Sequence, residues 1–282
     1  MSPLLQRLTI KHCTGIGNLN IQAPKLKRLR VQHNSETQSI CFTDTQNLSY
    51  VAIIFGLTMG SPKSVKTPNV VRFLGDFPRI AELNLDGFFI KVRHWFYNFI
   101  WFIYFKTCSL TMSLYNLLPF ASKILAAGGV PHRLPTTANL LKVLALHNFQ
   151  FNDLDHISCA LCLIRSCPNL TKLQIWTCII MERNDEELVL NRLEAPNCMD
   201  RMLDKLQSVK ISYVMGLKPE LLFIKLLLAR SPILEAIFIQ HSVEVDFEKG
   251  FDLFKVLFMF SGRASLFPMV WLKILIAMAL EE

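Results

Sequence analysis

One short phrase recurs along the chain: an apolar residue, two variable positions, a second apolar residue, one variable position and a third apolar residue. It reads Leu5-Leu8-Ile10, Leu26-Leu29-Val31, Leu48-Val51-Ile53, Ile80-Leu83-Leu85, Leu141-Leu144-Leu146, Leu170-Leu173-Ile175, Leu206-Val209-Ile211 and Leu234-Ile237-Ile239. The last two positions of each copy have the period of a strand with one buried face. A unit this short leaves its apolar face open until a neighbour stacks on it, so the copies imply parallel strands in a row. The chain has the material for such a core, at 282 residues and 51% hydrophobic composition.

Proline stands two positions before the first apolar residue in five copies (Pro3, Pro24, Pro78, Pro168, Pro232). Its fixed φ and missing amide suit the approach to a strand rather than the strand's middle. In the leucine-rich-repeat pattern, Asn or Cys follows three residues after the third apolar position. Cys13, Asn34 and Cys178 stand there, whereas the other copies have Gly56, Phe88, Phe149, Val214 and Ser242. The first apolar positions are separated by 21, 22, 32, 61, 29, 36 and 28 residues. The shorter units leave room only for turns outside the strands, and the longer ones for a helix. Leu154, Ile157, Leu161 and Ile164 recur at helical spacing behind a cap at Asn152 or Asp153, and Pro219 opens a second run through Leu221, Ile224, Leu227 and Leu228. The expected fold is therefore α/β: a leucine-rich-repeat-like solenoid with parallel strands on the concave side and turns or helices outside.

The gap of 61 residues marks an interruption. It holds VRHWFYNFIWFIYFKTCSLTMSLYNLLP, so the expected units are repeats at 1–90, an aromatic insertion or linker at 91–129, repeats at 130–192, a further module at 193–265 and a divergent apolar tail at 266–282. Trp95 to Phe105, apolar but for Asn98, is only 11 residues long before Lys106, short of the about 20 that a helix needs to cross a bilayer. A membrane-associated protein anchored by 95–120 is the alternative reading. The tail from Leu266 to Leu280 reads as an apolar helix capping the last repeat.

No sequence signal supports catalysis. The chain has no GxSxG, Walker loop, HExxH or GxGxxG, and its seven histidines are dispersed. Neither a catalytic residue, a cofactor nor a metal is expected. Cys159-x-x-Cys162 has no second pair at zinc spacing and falls within the predicted helix, where cysteine serves as a small buried hydrophobe. The N-terminal MSPLLQRLTIKH has no secretory pattern, so the eight cysteines are expected as reduced thiols in a cytoplasmic or nuclear protein.

The net charge of +8 is uneven, with Arg7, Lys11, Lys25, Lys27, Arg28 and Arg30 all preceding the first acidic residue, Glu36. A basic edge of this kind favours acidic partners. Lys25-Leu-Lys-Arg-Leu-Arg30 lies over a repeat phrase and lacks interleaved aromatics, which points to a protein ligand rather than nucleic acid. Residues flanking the inward positions face the concave side. Among them Arg28, Arg30, Tyr50, Lys172, Trp176 and Lys210 are the expected partner-binding residues, since Arg, Tyr and Trp are common interface anchors.

Three long phrases resemble the plant F-box/FBD/leucine-rich-repeat proteins: SPLLQRLTIKHCTGIGNLNIQAPKLKRLRV, LPTTANLLKVLALHNFQFNDLDHISCALCLIRSCPNLTKLQI and LQSVKISYVMGLKPELLFIKLLLARSPILEAIFI. The last is similar to the FBD module, echoed again by Phe258 to Ser265 (FMFSGRAS), which makes 193–265 FBD-like. The resemblance implies the substrate-recognition part of an F-box-type ubiquitin ligase, whose repeats hold the protein to be ubiquitinated. The chain opens inside a repeat at Met1, so an F-box is expected to be missing, as in a truncated gene product, and binding of the Skp adaptor to fail.

Overall fold

The computed structural model describes residues 4–13, 18–32, 39–43, 45–54, 79–86, 132–134, 137–178, 185–199, 202–242 and 271–275. In chain order the elements are β1 (Arg7–Lys11), β2 (Asn18–Gln22), β3 (Arg28–Gln32), β4 (Ser39–Thr43), β5 (Tyr50–Ile54), β6 (Glu82–Asp86), β7 (Val143–Phe149), α1 (Leu154–Ser166), β8 (Lys172–Thr177), α2 (Glu186–Glu194), β9 (Ser208–Val214), α3 (Lys218–Arg230), β10 (Ala236–His241) and β11 (Trp271–Leu275). The aromatic insertion at 91–129, the membrane reading of 95–120 and the FMFSGRAS phrase lie outside the described residues. Among the described residues, no helix is long and apolar enough to cross a membrane.

The sequence phrase becomes the main sheet. Among the described residues its nine strands run β1-β3-β5-β6-β7-β8-β9-β10-β11, and every pairing is parallel. Leu8, Leu29, Val51, Leu83, Leu144, Leu173, Val209 and Ile237 are successive partners, as are Ile10, Val31, Ile53, Leu85, Leu146, Ile175, Ile211 and Ile239. From Leu29 to Ile239 all these side chains are buried, whereas Leu5, Leu8 and Ile10 at the β1 edge are half-buried. A slip of one residue would turn the whole apolar set outward, so burial on one side fixes the register.

The backbone repeats with the side chains. Lys27 and Arg28 both donate their N–H groups to the Gln6 carbonyl, at 2.9 and 3.1 Å. The same fork recurs at the carbonyls of Lys27, Ser49, Ala81, Lys142, Thr171 and Gln207. Just before six of these forks the first apolar residue closes a β-turn, as where Leu26 donates to Ala23, Leu170 to Cys167 and Leu234 to Ser231. Pro24, Pro168 and Pro232 thus sit at the second position of a turn, where their φ is already set. Side chains link successive turns. Asn47 Nδ2 donates to the Pro24 carbonyl at 2.7 Å and Asn169 Nδ2 to the Asn139 carbonyl at 2.6 Å. The next unit's cation then donates to each asparagine oxygen, Arg79 to Asn47 and Lys205 to Asn169.

The connections follow the spacing. Between β1, β3 and β5 the short units carry β2 and β4, a parallel pair whose Leu19, Ile21 and Phe42 pack against the same core. Longer units carry helices. Helix α1 starts at Asp153, whose carboxylate accepts from Asp155 and His156 N–H groups at 2.9 and 3.3 Å, and it buries Ile157, Leu161 and Ile164 together with Cys159 and Cys162. Both thiols lie in the core, where burial pushes Cys159 well up and Cys162 to about 11. Arg165 is buried too, and donates to the His132 and Cys198 carbonyls. Helix α2 is too polar to declare itself in the sequence: Val189 and Leu193 alone are buried in EELVLNRLE.

The tail corrects the sequence reading. Residues 271–275 form a strand, not a capping helix, with Leu272 beside Ile237 and Ile274 beside Ile239. Their spacing of two matches the strand period, and lateral pairing supplies the hydrogen bonds that a helix would make internally.

Two outcomes test this packing. Leu144→Ala, in a fully buried position, should lower unfolding free energy in urea by about 2–5 kcal/mol, with Leu8→Ala at the half-buried edge losing clearly less. Glu220 accepts from the Leu217 and Met215 N–H groups at 2.9 and 3.0 Å at the start of α3, and burial raises its carboxyl from 4.5 to about 7. The folded state therefore keeps a proton that the unfolded chain releases, and stability should fall as pH rises from 4.5 to about 7. Glu220→Gln should flatten that slope in denaturation curves taken across the window.

Candidate functional site

The strand positions between the buried anchors form the opposite face of the sheet, aligned in rows by the same register. The first row runs Arg7, Arg28, Tyr50, Glu82, Val143, Lys172, Ser208 and Ala236. The next, two residues on, runs Thr9, Arg30, Ala52, Asn84, Ala145, Gln174, Lys210 and Phe238. A third holds Asp86, His147, Trp176 and Ser212. Ala52 and Ala145 are closed to solvent, while Arg28 and Lys172 are exposed and Arg30, Trp176 and Lys210 half-buried.

Five of the six residues expected at the site fall into two clusters. In the first, the Arg28 guanidinium carbon lies 4.0 Å from the centre of the Tyr50 ring, and that of Arg30 lies 5.7 Å away. Arg30 Nη2 also donates to the Tyr50 hydroxyl at 2.7 Å. Tyr50 is only 5% exposed, so it serves as the platform that aims two cations rather than as a contact of its own. Each such cation–ring contact contributes on the order of 0.5–1 kcal/mol at an exposed site.

The second cluster is centred on Trp176. His147 stacks on it with ring centres 4.2 Å apart and planes 5° from parallel, and Lys210 Nζ lies 5.9 Å from its centre. Lys172 opens the same strand, exposed, within the first row. Among the described residues no carboxylate forms an ion pair with Arg28, Arg30, Lys172 or Lys210.

His147 belongs to this site although its residue type alone gave no reason to choose it over the other histidines. Burial first, and the positive charge of Arg30 second, lower its imidazole to about 4, so the ring that faces Trp176 is neutral near pH 7. The next residue, Asn148, takes a left-handed conformation (φ 50°) at a bulge in β7 and donates to Asp86 Oδ2 at 2.7 Å. A bulge re-aims side chains in this way, but nothing in a period of two announces it. On the floor of the face, Asn84 Nδ2 and His147 Nε2 are buried with no hydrogen-bond partner.

The histidine supplies a direct check. In an imidazole NMR titration His147 should have its midpoint near 4, and both Trp176→Ala and Arg30→Ala should raise it, the former more because burial is the larger cause. Since the unfolded ring takes up its proton first, this group removes stability as pH falls from 6.5 to about 4.

Among the described residues no group of three or more His, Cys, Asp or Glu side chains could hold a metal ion. No protein-family profile matches the chain, and no solved structure matches it. It is 29% identical over 245 residues to an F-box/FBD/LRR-repeat protein of Arabidopsis thaliana, an alignment covering 86% of this chain and 50% of that protein. The chain thus spans half the length of the curated relative it matches. This likeness supports the family identified from the three sequence phrases.

Proposed function

We propose that the chain works as the protein-binding repeat module of an F-box/FBD/LRR-repeat protein, holding a protein ligand on the face that carries Arg28, Arg30, Tyr50, Lys172, Trp176 and Lys210. The observation that carries this reading is the pair of cation–aromatic clusters, held in place by neighbouring side chains and left without carboxylate partners among the described residues. Pre-set aromatic and arginine groups are the chemistry of interface anchors, because little freedom is lost when a partner arrives. In this reading the sheet bends as a solenoid, the clusters lie on its concave side, and the module presents a target for ubiquitination rather than performing chemistry. Its place of action is the cytoplasm or nucleus.

No residue of this face is assigned to the Skp adaptor. Co-elution of the purified chain with that adaptor, lost on Arg28→Glu and Arg30→Glu substitution, would overturn the assignment.

The binding role is tested by capture from plant extract on the immobilised chain, with quantitative mass spectrometry. The double substitution Arg28→Glu and Arg30→Glu should deplete the specific partner at least about tenfold, a loss of about 1.4 kcal/mol, without altering the circular dichroism. Leu188→Glu, on the exposed side of α2, should leave capture intact. A partner retained equally by all three proteins would remove the face from the reading.

A further inference from the structure

The two clusters are separated along the rows by a fixed number of strands. Arg28 and Lys172 share the first row and stand four strand steps apart; Arg30 and Lys210 share the next and stand five steps apart. At about 4.8 Å per step the strands that carry them stand roughly 19 and 24 Å apart. Between them Glu82, half-buried on β6, puts a carboxylate on the face. The face is therefore basic, acidic and basic again across the strands, rather than uniformly positive.

Resting on the protein-binding reading, we infer that the ligand is an extended segment with two acidic side chains six or seven residues apart and a non-acidic stretch between them. One acid meets Arg28 and Arg30 on the Tyr50 platform, and the other meets Lys172 and Lys210 beside Trp176. The spacing follows from geometry: an extended chain advances about 3.3 Å per residue, so six or seven residues cover the interval. Acids placed between the clusters would meet Glu82, and that repulsion is what separates such a segment from a merely acidic one. The floor of the interval is low, because Ala52 and Ala145 occupy it. A peptide carbonyl laid there is also the group that would satisfy the unpartnered amide of Asn84. Two weak contacts joined by a linker of matching span reinforce each other, whereas a mismatched span engages one at a time.

The experiment uses the full chain and fluorescein-labelled Gly/Ser/Asn peptides carrying two aspartates three, six, seven or ten residues apart, with single-aspartate and all-acidic peptides as controls, read by anisotropy. The expected result is binding at least about tenfold tighter for spacings of six and seven than for three, ten or one acid. The pair Arg28→Glu and Arg30→Glu, and separately Lys172→Glu and Lys210→Glu, should each reduce the matched peptides to the single-acid level. Affinity that follows total charge regardless of spacing, or equal displacement by an oligonucleotide of the same charge, would overturn the two-point clamp. So would no binding of any peptide by a chain that still captures its partner through Arg28 and Arg30, a result that leaves the protein-binding reading standing.

Discussion

The structure depends on one constraint: each repeat must hand its neighbour a strand in unchanged register. Three groups enforce it together. The second and third apolar residues bury on one side, the first closes the preceding turn, and one carbonyl receives two N–H groups from the next unit. None is strong alone, since a backbone hydrogen bond contributes about 0.5–1.5 kcal/mol net. Their agreement is what specifies the fold, because any slip loses burial and backbone bonding at once.

A register held from the buried side leaves the opposite side chains free to vary in chemistry while keeping their positions. The face can therefore be treated as a grid. Tyr50 beneath two guanidiniums and Trp176 between His147 and Lys210 are consequences of strands standing side by side, not of local sequence. His147 illustrates the coupling. Its ring is kept neutral by burial and by Arg30, a residue 117 positions earlier in the chain that the register brings across the sheet.

Much of this grid was legible beforehand because its period is short and its anchors are chemically plain. All eight phrases became strands, and the helices behind Asp153 and Pro219 formed where apolar spacing and caps agreed. What escaped shares a physical feature: lateral partners decide it. Helix α2 has too few apolar residues to show a stripe, and the outer strands β2 and β4 are each stabilised by pairing with the other. Strand β11 reads locally as an apolar helix until β10 offers its edge. The site residues were readable as positions on a face. Their grouping into two clusters depended on the bulge at Asn148 and on which strands are adjacent, neither of which a single phrase contains.

The ends of the strands show how the grid is kept rigid where the period fails. His12, Asn148 and Tyr213 occupy the same place, five residues after the first of their strands, and all have positive φ. For a residue with a side chain that conformation is unfavourable by about 1–2 kcal/mol, and an aromatic such as Tyr213 would not adopt it without compensation. The compensation is lateral. His12 donates to the Gln32 carbonyl, Thr177 Oγ1 to the Tyr213 carbonyl, Cys178 to Phe149 and Ser242 to Val214. Each strained turn is thus held by the unit beside it, so the border of the face is fixed by the same neighbour-to-neighbour logic as its core. It follows that the spacing between the clusters is set by the number of strands between them, and that changing a face residue alters what the grid offers without moving the grid.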